Sequence, residues 1–166
     1  MTTSPTRGTP GLLPEELLAL AGNHEHAELE RYRGLAFRFL AFSSAASRLM
    51  AALGIECEMR LSGLARAARR LGLDAPGNAA AGPLAVPAAS PPGLISSLEM
   101  ARGALSQAMI DAAVSHRLYA RLGELGAASS LGREFTAIAR QKQAELAILR
   151  EHCLESGTGE RQRHRA

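Results

Sequence analysis

Apolar side chains recur at steps of three and four residues along four long stretches of the chain, the signature of amphipathic helices. In the first, Leu18, Ala21, Glu25, Glu28 or Leu29, Tyr32, Ala36 and Phe39 fall on one face. In the second, Leu49, Leu53, Glu56, Met59, Gly63, Ala67 and Leu71 do the same. The pattern predicts helices near 14–42, 45–72, 95–126 and 131–156. Pro14 at the first turn, with Glu15 and Glu16 behind it, suits a helix N-terminus. Gly22-Asn23 is a candidate bend or break in that helix. Ser43 or Ser44 caps the second helix, and Ser96 with Glu99 forms a capping box for the third.

Between the second and third helices, residues 74–94 are rich in Pro, Ala and Gly, with Pro76, Pro83, Pro87, Pro91 and Pro92 excluding a regular helix. Twenty extended residues reach roughly 66 Å, more than the roughly 40 Å of a 27-residue helix. The segment is therefore long enough to cross a bundle from end to end, which predicts two hairpins joined by a long crossover. Residues 1–13 read as a flexible N-terminus, 14–156 as one helical domain and 157–166 as a basic flexible tail.

The two hairpins look like copies of one another at an offset of 86 residues. Ser43-Ser44 maps onto Ser129-Ser130, and Glu25 maps onto Asp111. Leu49, Leu53, Glu56 and Met59 map onto Phe135, Ala139, Lys142 and Glu145. Acidic residues thus fall on inward positions of several helices, as in bundles that build a metal site from facing side chains.

Composition narrows the class further. Aliphatic residues dominate the 46% hydrophobic content, aromatics are 4% and Trp is absent, a mix that favours close-packed helices over a sheet. The net charge is +3, and Arg161, Arg163 and Arg165 read as a solvated basic end that does not indicate nucleic-acid binding. Cys57 and Cys153 have no cysteine neighbour at metal-ligand spacing and fit reduced thiols of a cytoplasmic protein. No leader-like N-terminus and no apolar run of membrane-spanning length is evident. Neither a Gly-rich phosphate loop, a Ser-His-Asp set nor zinc spacing is present.

In EHAELERYRGLA, Glu25 stands seven residues before Tyr32; Glu56-Cys57-Glu58-Met59 and Lys142-Gln143-Ala144-Glu145 occupy matching places in the second and fourth helices. On these residues the chain resembles the rubrerythrin branch of the ferritin-like superfamily, whose second and fourth helices carry Glu-x-x-His. The resemblance implies an all-α, antiparallel four-helix bundle with its crossover between helices 2 and 3. It also implies a metal centre, iron or another divalent ion, at Glu25, Glu56, Met59, Asp111 and Glu145. Both histidines of the motif are missing. Lys142 stands at a ligand position, where its ammonium is expected to pair with the acids in place of metal, so no intact di-iron centre and no resident cofactor is expected. Arg60 and Arg140 read as turned away from the centre and Cys57 as facing a neighbouring helix. His24 and His26 read as exposed residues beside the bend, His116 and His152 as surface or boundary residues, and Met50, Met100 and Met109 as core filling.

Three functions fit these readings. One is a non-catalytic bundle that binds a protein partner or itself. Another is an oxidoreductase or metal-storage protein with one non-standard carboxylate site. The third is a small-molecule carrier with a pocket at the bundle centre. Gly34, Gly54, Gly63, Gly103 and Gly123 suggest close-packed helix faces.

Overall fold

A computed structural model of the chain describes residues 12–75 and 93–163, with side chains described through Leu154. The described residues form four α-helices and no strand: α1 Pro14–Phe39, α2 Ser44–Arg70, α3 Leu98–Leu125 and α4 Ser130–Arg163. None is long and apolar enough to cross a membrane. The fold is all-α. Most of the expected crossover, and the expected loose N-terminus up to residue 11, lie outside the described residues, as do residues 164–166 of the tail.

Local chemistry sets the helix ends. The Glu16 carboxylate accepts the Leu13 N–H at 2.8 Å ahead of Pro14, and Ser43 Oγ accepts the Ala46 N–H at 3.2 Å. Ser97, not Ser96, caps α3, accepting the Met100 N–H at 3.2 Å. Ser96 and Ile95 precede the helix, where the Ile95 N–H donates to Arg38 O at 3.0 Å. Gly22-Asn23 does not break α1; that helix is continuous through both residues. α4 runs beyond residue 156 to Arg163.

α1 packs chiefly on α2 and α3 chiefly on α4. Between the two pairs the core falls into two apolar clusters. One gathers Phe39, Met50, Leu53, Ile95, Leu105 and Leu149. The other gathers Leu17, Leu18, Leu64, Leu122, Leu131 and Phe135. Met50 is fully buried there, whereas Met100 is 41% exposed and does not fill the core.

The turn before α4 is closely packed. Gly126 O accepts the Ser129 N–H at 2.9 Å and the Gly132 N–H at 3.1 Å. A Cβ on Gly132 would sit 2.7 Å from that oxygen and 2.9 Å from Ala127 Cα. Backbone on both sides leaves no flexible atom to give way. Gly132→Ala should therefore cost about 1–3 kcal/mol, the usual scale of overpacking. Gly103 on α3 meets nothing within 4 Å, so Gly103→Ala should stabilise by up to about 1 kcal/mol through helix propensity. Urea melts of both variants check this; two shifts of the same sign would contradict the placement of one of them. Of the other four glycines expected on packed faces, Gly54 and Gly123 meet neighbouring side chains, Gly34 faces open space and Gly63 meets only Arg66.

Candidate functional site

A layer of charged side chains separates the two apolar clusters. Burial on α1 follows the 3.6-residue period, so Glu25, Glu28 and Tyr32 all face inward, and each is fully buried. Cys57 and Arg60 enter from α2, Lys142 and Glu145 from α4, all 6% exposed or less. α3 contributes the buried Ser115 and Tyr119.

Arg60 bridges three helices. Its Nε donates to Glu25 Oε2 at 2.9 Å, Nη1 to Glu145 Oε1 at 2.6 Å and Nη2 to Cys57 Sγ at 3.3 Å. The Lys142 ammonium donates to Glu28 Oε2 and lies 3.4 Å from Glu25 Oε1 and 3.5 Å from Glu145 Oε2. From the rim, half-buried Arg31 donates to Glu28 Oε1 at 2.9 Å and reaches Asp111 at 3.3 Å. Three buried carboxylates, Glu25, Glu28 and Glu145, thus meet Arg60, Lys142 and the rim Arg31, which Asp111 also shares, the pairing that buried charges require. Glu25 Oε1 and Glu145 Oε2 have no hydrogen-bond partner, and neither has the Tyr32 hydroxyl. His24 Nε2 shares a 2.6 Å hydrogen bond with the Ser115 hydroxyl.

The electrostatics follow from this packing. Burial would raise the Glu25 carboxyl, but Lys142 and Arg60 outweigh it and hold the group below its ordinary value. At Glu145 burial prevails over the same two cations and the carboxyl is raised. Burial opposes the charged form of Lys142, yet Glu25, Glu28 and Glu145 keep its pKa above the ordinary value. His24 is lowered, by burial first. The Cys57 thiol is pushed up to about 12, chiefly by burial. It is inert at neutral pH and unsuited to redox attack.

An alkaline weakness follows from Cys57. In the unfolded chain its thiol releases a proton near the reference 9.0, whereas the folded chain holds it to about 12, so stability falls as pH rises through that interval. Lys142, raised in the fold, adds its own loss only above its unfolded value of 10.5. Partly buried Cys153 is also raised and acts in the same direction. Cys57→Ala should therefore shallow, without abolishing, the decline in stability between pH 9 and pH 10.5, read as urea midpoints; an undiminished slope would contradict the burial of Cys57.

Several expected site residues stand elsewhere. Met59 is 60% exposed, and Glu56 is only half-buried, one position before Cys57 on the helix. Asp111 is half-buried and meets Arg31 and Gln107 at the edge. Glu25 and Glu145 are central, with Lys142 between them. Arg60 and Cys57, expected to face away, are at the centre; Arg140 is exposed. His24 is not a surface residue but bonds α3, while half-buried His116 bonds Ala139 O at 3.0 Å. His26 is exposed and His152 is half-buried.

One cause explains the helix-2 and helix-3 misplacements. Buried positions of α1 recur in α3 at an offset of 87: Leu18 with Leu105, Ala21 with Ala108, Glu25 with Ala112, Tyr32 with Tyr119. Those of α2 recur in α4 at 85: Met50 with Phe135, Cys57 with Lys142, Arg60 with Glu145, Leu64 with Leu149. The second hairpin is two residues shorter between its inward faces, and matching the Ser-Ser turns at 86 split that difference. Each pairing was displaced by one residue, or about 100° around a helix of 3.6 residues per turn. Glu28, absent from the expected site, corresponds to Ser115 at 87.

Comparison of the chain with protein-family models, with curated proteins and with solved structures returned no match.

Proposed function

We propose that the chain is a degenerate ferritin-like bundle whose metal centre is replaced by an ion network, and that it works as a binding or interaction protein. The observation that carries this reading is the Lys142 ammonium, fully buried among Glu25, Glu28 and Glu145. A side-chain cation there joins acids from two helices, as a bound metal joins carboxylates, and it opposes a second cation in the same space.

The contact order supports the ferritin-like connectivity. Arg38–Ile95, Arg31–Asp111, His24–Ser115 and Ala21–Tyr119 step backward along α1 as they step forward along α3. Arg60–Glu145 and Arg70–Glu134 do the same for α2 and α4. In a simple up-down-up-down bundle these alternate helices would run parallel; their opposed directions support the reading of a long crossover between α2 and α3. An interaction role is supported by exposed apolar pairs four residues apart, Ile55 with Met59 on α2 and Ile110 with Val114 on α3, each 47–60% exposed.

Elemental analysis of protein purified without chelator, with a ferrous-iron oxidation assay, tests the reading. Substoichiometric metal and no oxidation above background are expected. Stoichiometric iron with oxidase turnover would overturn it and favour a metal-dependent oxidoreductase or storage protein. For the interaction role, Ile55→Glu with Met59→Glu should leave the melting curve unchanged and reduce self-association or partner binding in sedimentation; an unaltered profile would remove that face.

A further inference from the structure

We infer that Glu25, Glu28 and Cys57 form a latent three-donor site for a zinc-class divalent cation, closed in the native chain by the Lys142 ammonium. One carboxylate oxygen of Glu25, one of Glu28 and Cys57 Sγ lie within 4.8 Å of one another, all on fully buried residues. Arginines hold the opposite side of each carboxylate. Arg60 binds Glu25 Oε2 and Arg31 binds Glu28 Oε1, which leaves Glu25 Oε1 and Glu28 Oε2 toward Lys142 Nζ. Glu25 Oε1 is buried and makes no hydrogen bond, only the 3.4 Å ion pair with Lys142, so this acceptor is already aimed at a point that a cation occupies. Arg60 also donates to Cys57 Sγ at 3.3 Å. Donors fixed from behind in this way are the outer shell that orients metal ligands. His24 Nε2 lies 3.7 Å from Glu28 Oε2 but is held by Ser115 and stands outside the three-donor set.

Charge selects the ion. With a neutral thiol, the buried Glu25, Glu28 and Glu145 and the rim Asp111 face Arg31, Arg60 and Lys142. Without the Lys142 charge, a divalent cation that displaces the Cys57 proton to solvent supplies two positive charges and leaves one new negative charge on sulfur. The layer regains the net charge that it has with Lys142. Only a cation that accepts thiolate together with carboxylate makes this exchange, which selects Zn2+ or Co2+ over the all-oxygen chemistry of Mg2+ and Ca2+.

The test uses the full chain, native and Lys142→Met, titrated with Co2+ and Zn2+ and with Mg2+ as a control. Lys142→Met should bind one Co2+ with a thiolate-to-metal absorption band. Its affinity for Zn2+ should be at least about a hundredfold above that of the native chain, in which an ammonium must first be neutralised or moved. Adding Cys57→Ser should abolish the band, and adding Glu28→Gln should weaken binding. If Lys142→Met is unfolded without metal, Zn2+ and not Mg2+ should restore its helical circular dichroism. The inference is overturned by a folded Lys142→Met that binds no Co2+ or binds it without the thiolate band. Native affinity equal to that of the variant, or an unfolded variant that Zn2+ does not rescue, overturns it as well.

Discussion

Lys142→Met should lower the unfolding free energy by about 3–5 kcal/mol near neutral pH, the usual cost of removing one partner from a buried ionic group. Methionine fits the volume of the lysine stem, so the loss is electrostatic and leaves no large cavity. What it leaves is Glu25 Oε1 and Glu145 Oε2, which already lack hydrogen bonds, and Glu28 Oε2, which loses its ammonium donor. The pH dependence separates this cause from poor packing. Carboxylates left without their cation are harder to ionise in the fold, so their penalty is present above the unfolded carboxylate range near 4.5 and fades as pH falls below it. The gap between native and variant urea midpoints should accordingly narrow from pH 7 to pH 4. Adding Glu28→Gln removes one of the stranded charges and should recover part of the loss. A variant that melts like the parent at pH 7 would show that Lys142 is not enclosed by these acids.

The helices were legible in the chain because their signals are local. Pro14, Ser43 and the 3.6-residue recurrence of Leu and Ala each act within a few residues, and the observed ends differ from expectation by three residues or fewer except at the end of α4. The centre was legible only in part. Glu25, Glu145 and Lys142 lie on stripes whose inward side is unambiguous. On α2, by contrast, Leu49, Leu53, Glu56 and Met59 form a stripe as regular as Met50, Leu53, Cys57 and Arg60, and hydropathy favours the stripe without the arginine. What reverses the choice is long-range: Glu25 and Glu145, from α1 and α4, supply the counter-charges that let Arg60 be buried. No local pattern contains that information. The spacing between Tyr119 and Lys142, two residues less than between Tyr32 and Cys57, was the available clue.

The second large effect belongs to Arg60. Arg60→Met should also cost about 3–5 kcal/mol, since it strands Glu25 Oε2 and Glu145 Oε1 in the buried layer at once. Arg60→Lys should recover little of this. The guanidinium serves Glu25, Glu145 and Cys57 from three different nitrogens of a planar fork, and an ammonium cannot match those directions. Arg33 provides the contrast. It lies 2.5 Å from Glu58, closer than Arg60 lies to either acid, but both partners are at least half exposed, so water already solvates each charge and Arg33→Met should leave the melt unchanged. Distance does not rank these pairs; desolvation does. The same reasoning gives an opposite expectation when the whole layer is replaced. With Glu25, Glu28 and Glu145 made Leu or Gln and Arg60 and Lys142 made Met, no charge is stranded, and such exchanges are often neutral or stabilising by about 1–4 kcal/mol. Each single change would then be severe while the combined change is mild. Urea unfolding of the two single variants and the combined variant decides it: if the losses simply add, the five side chains do not act as one network.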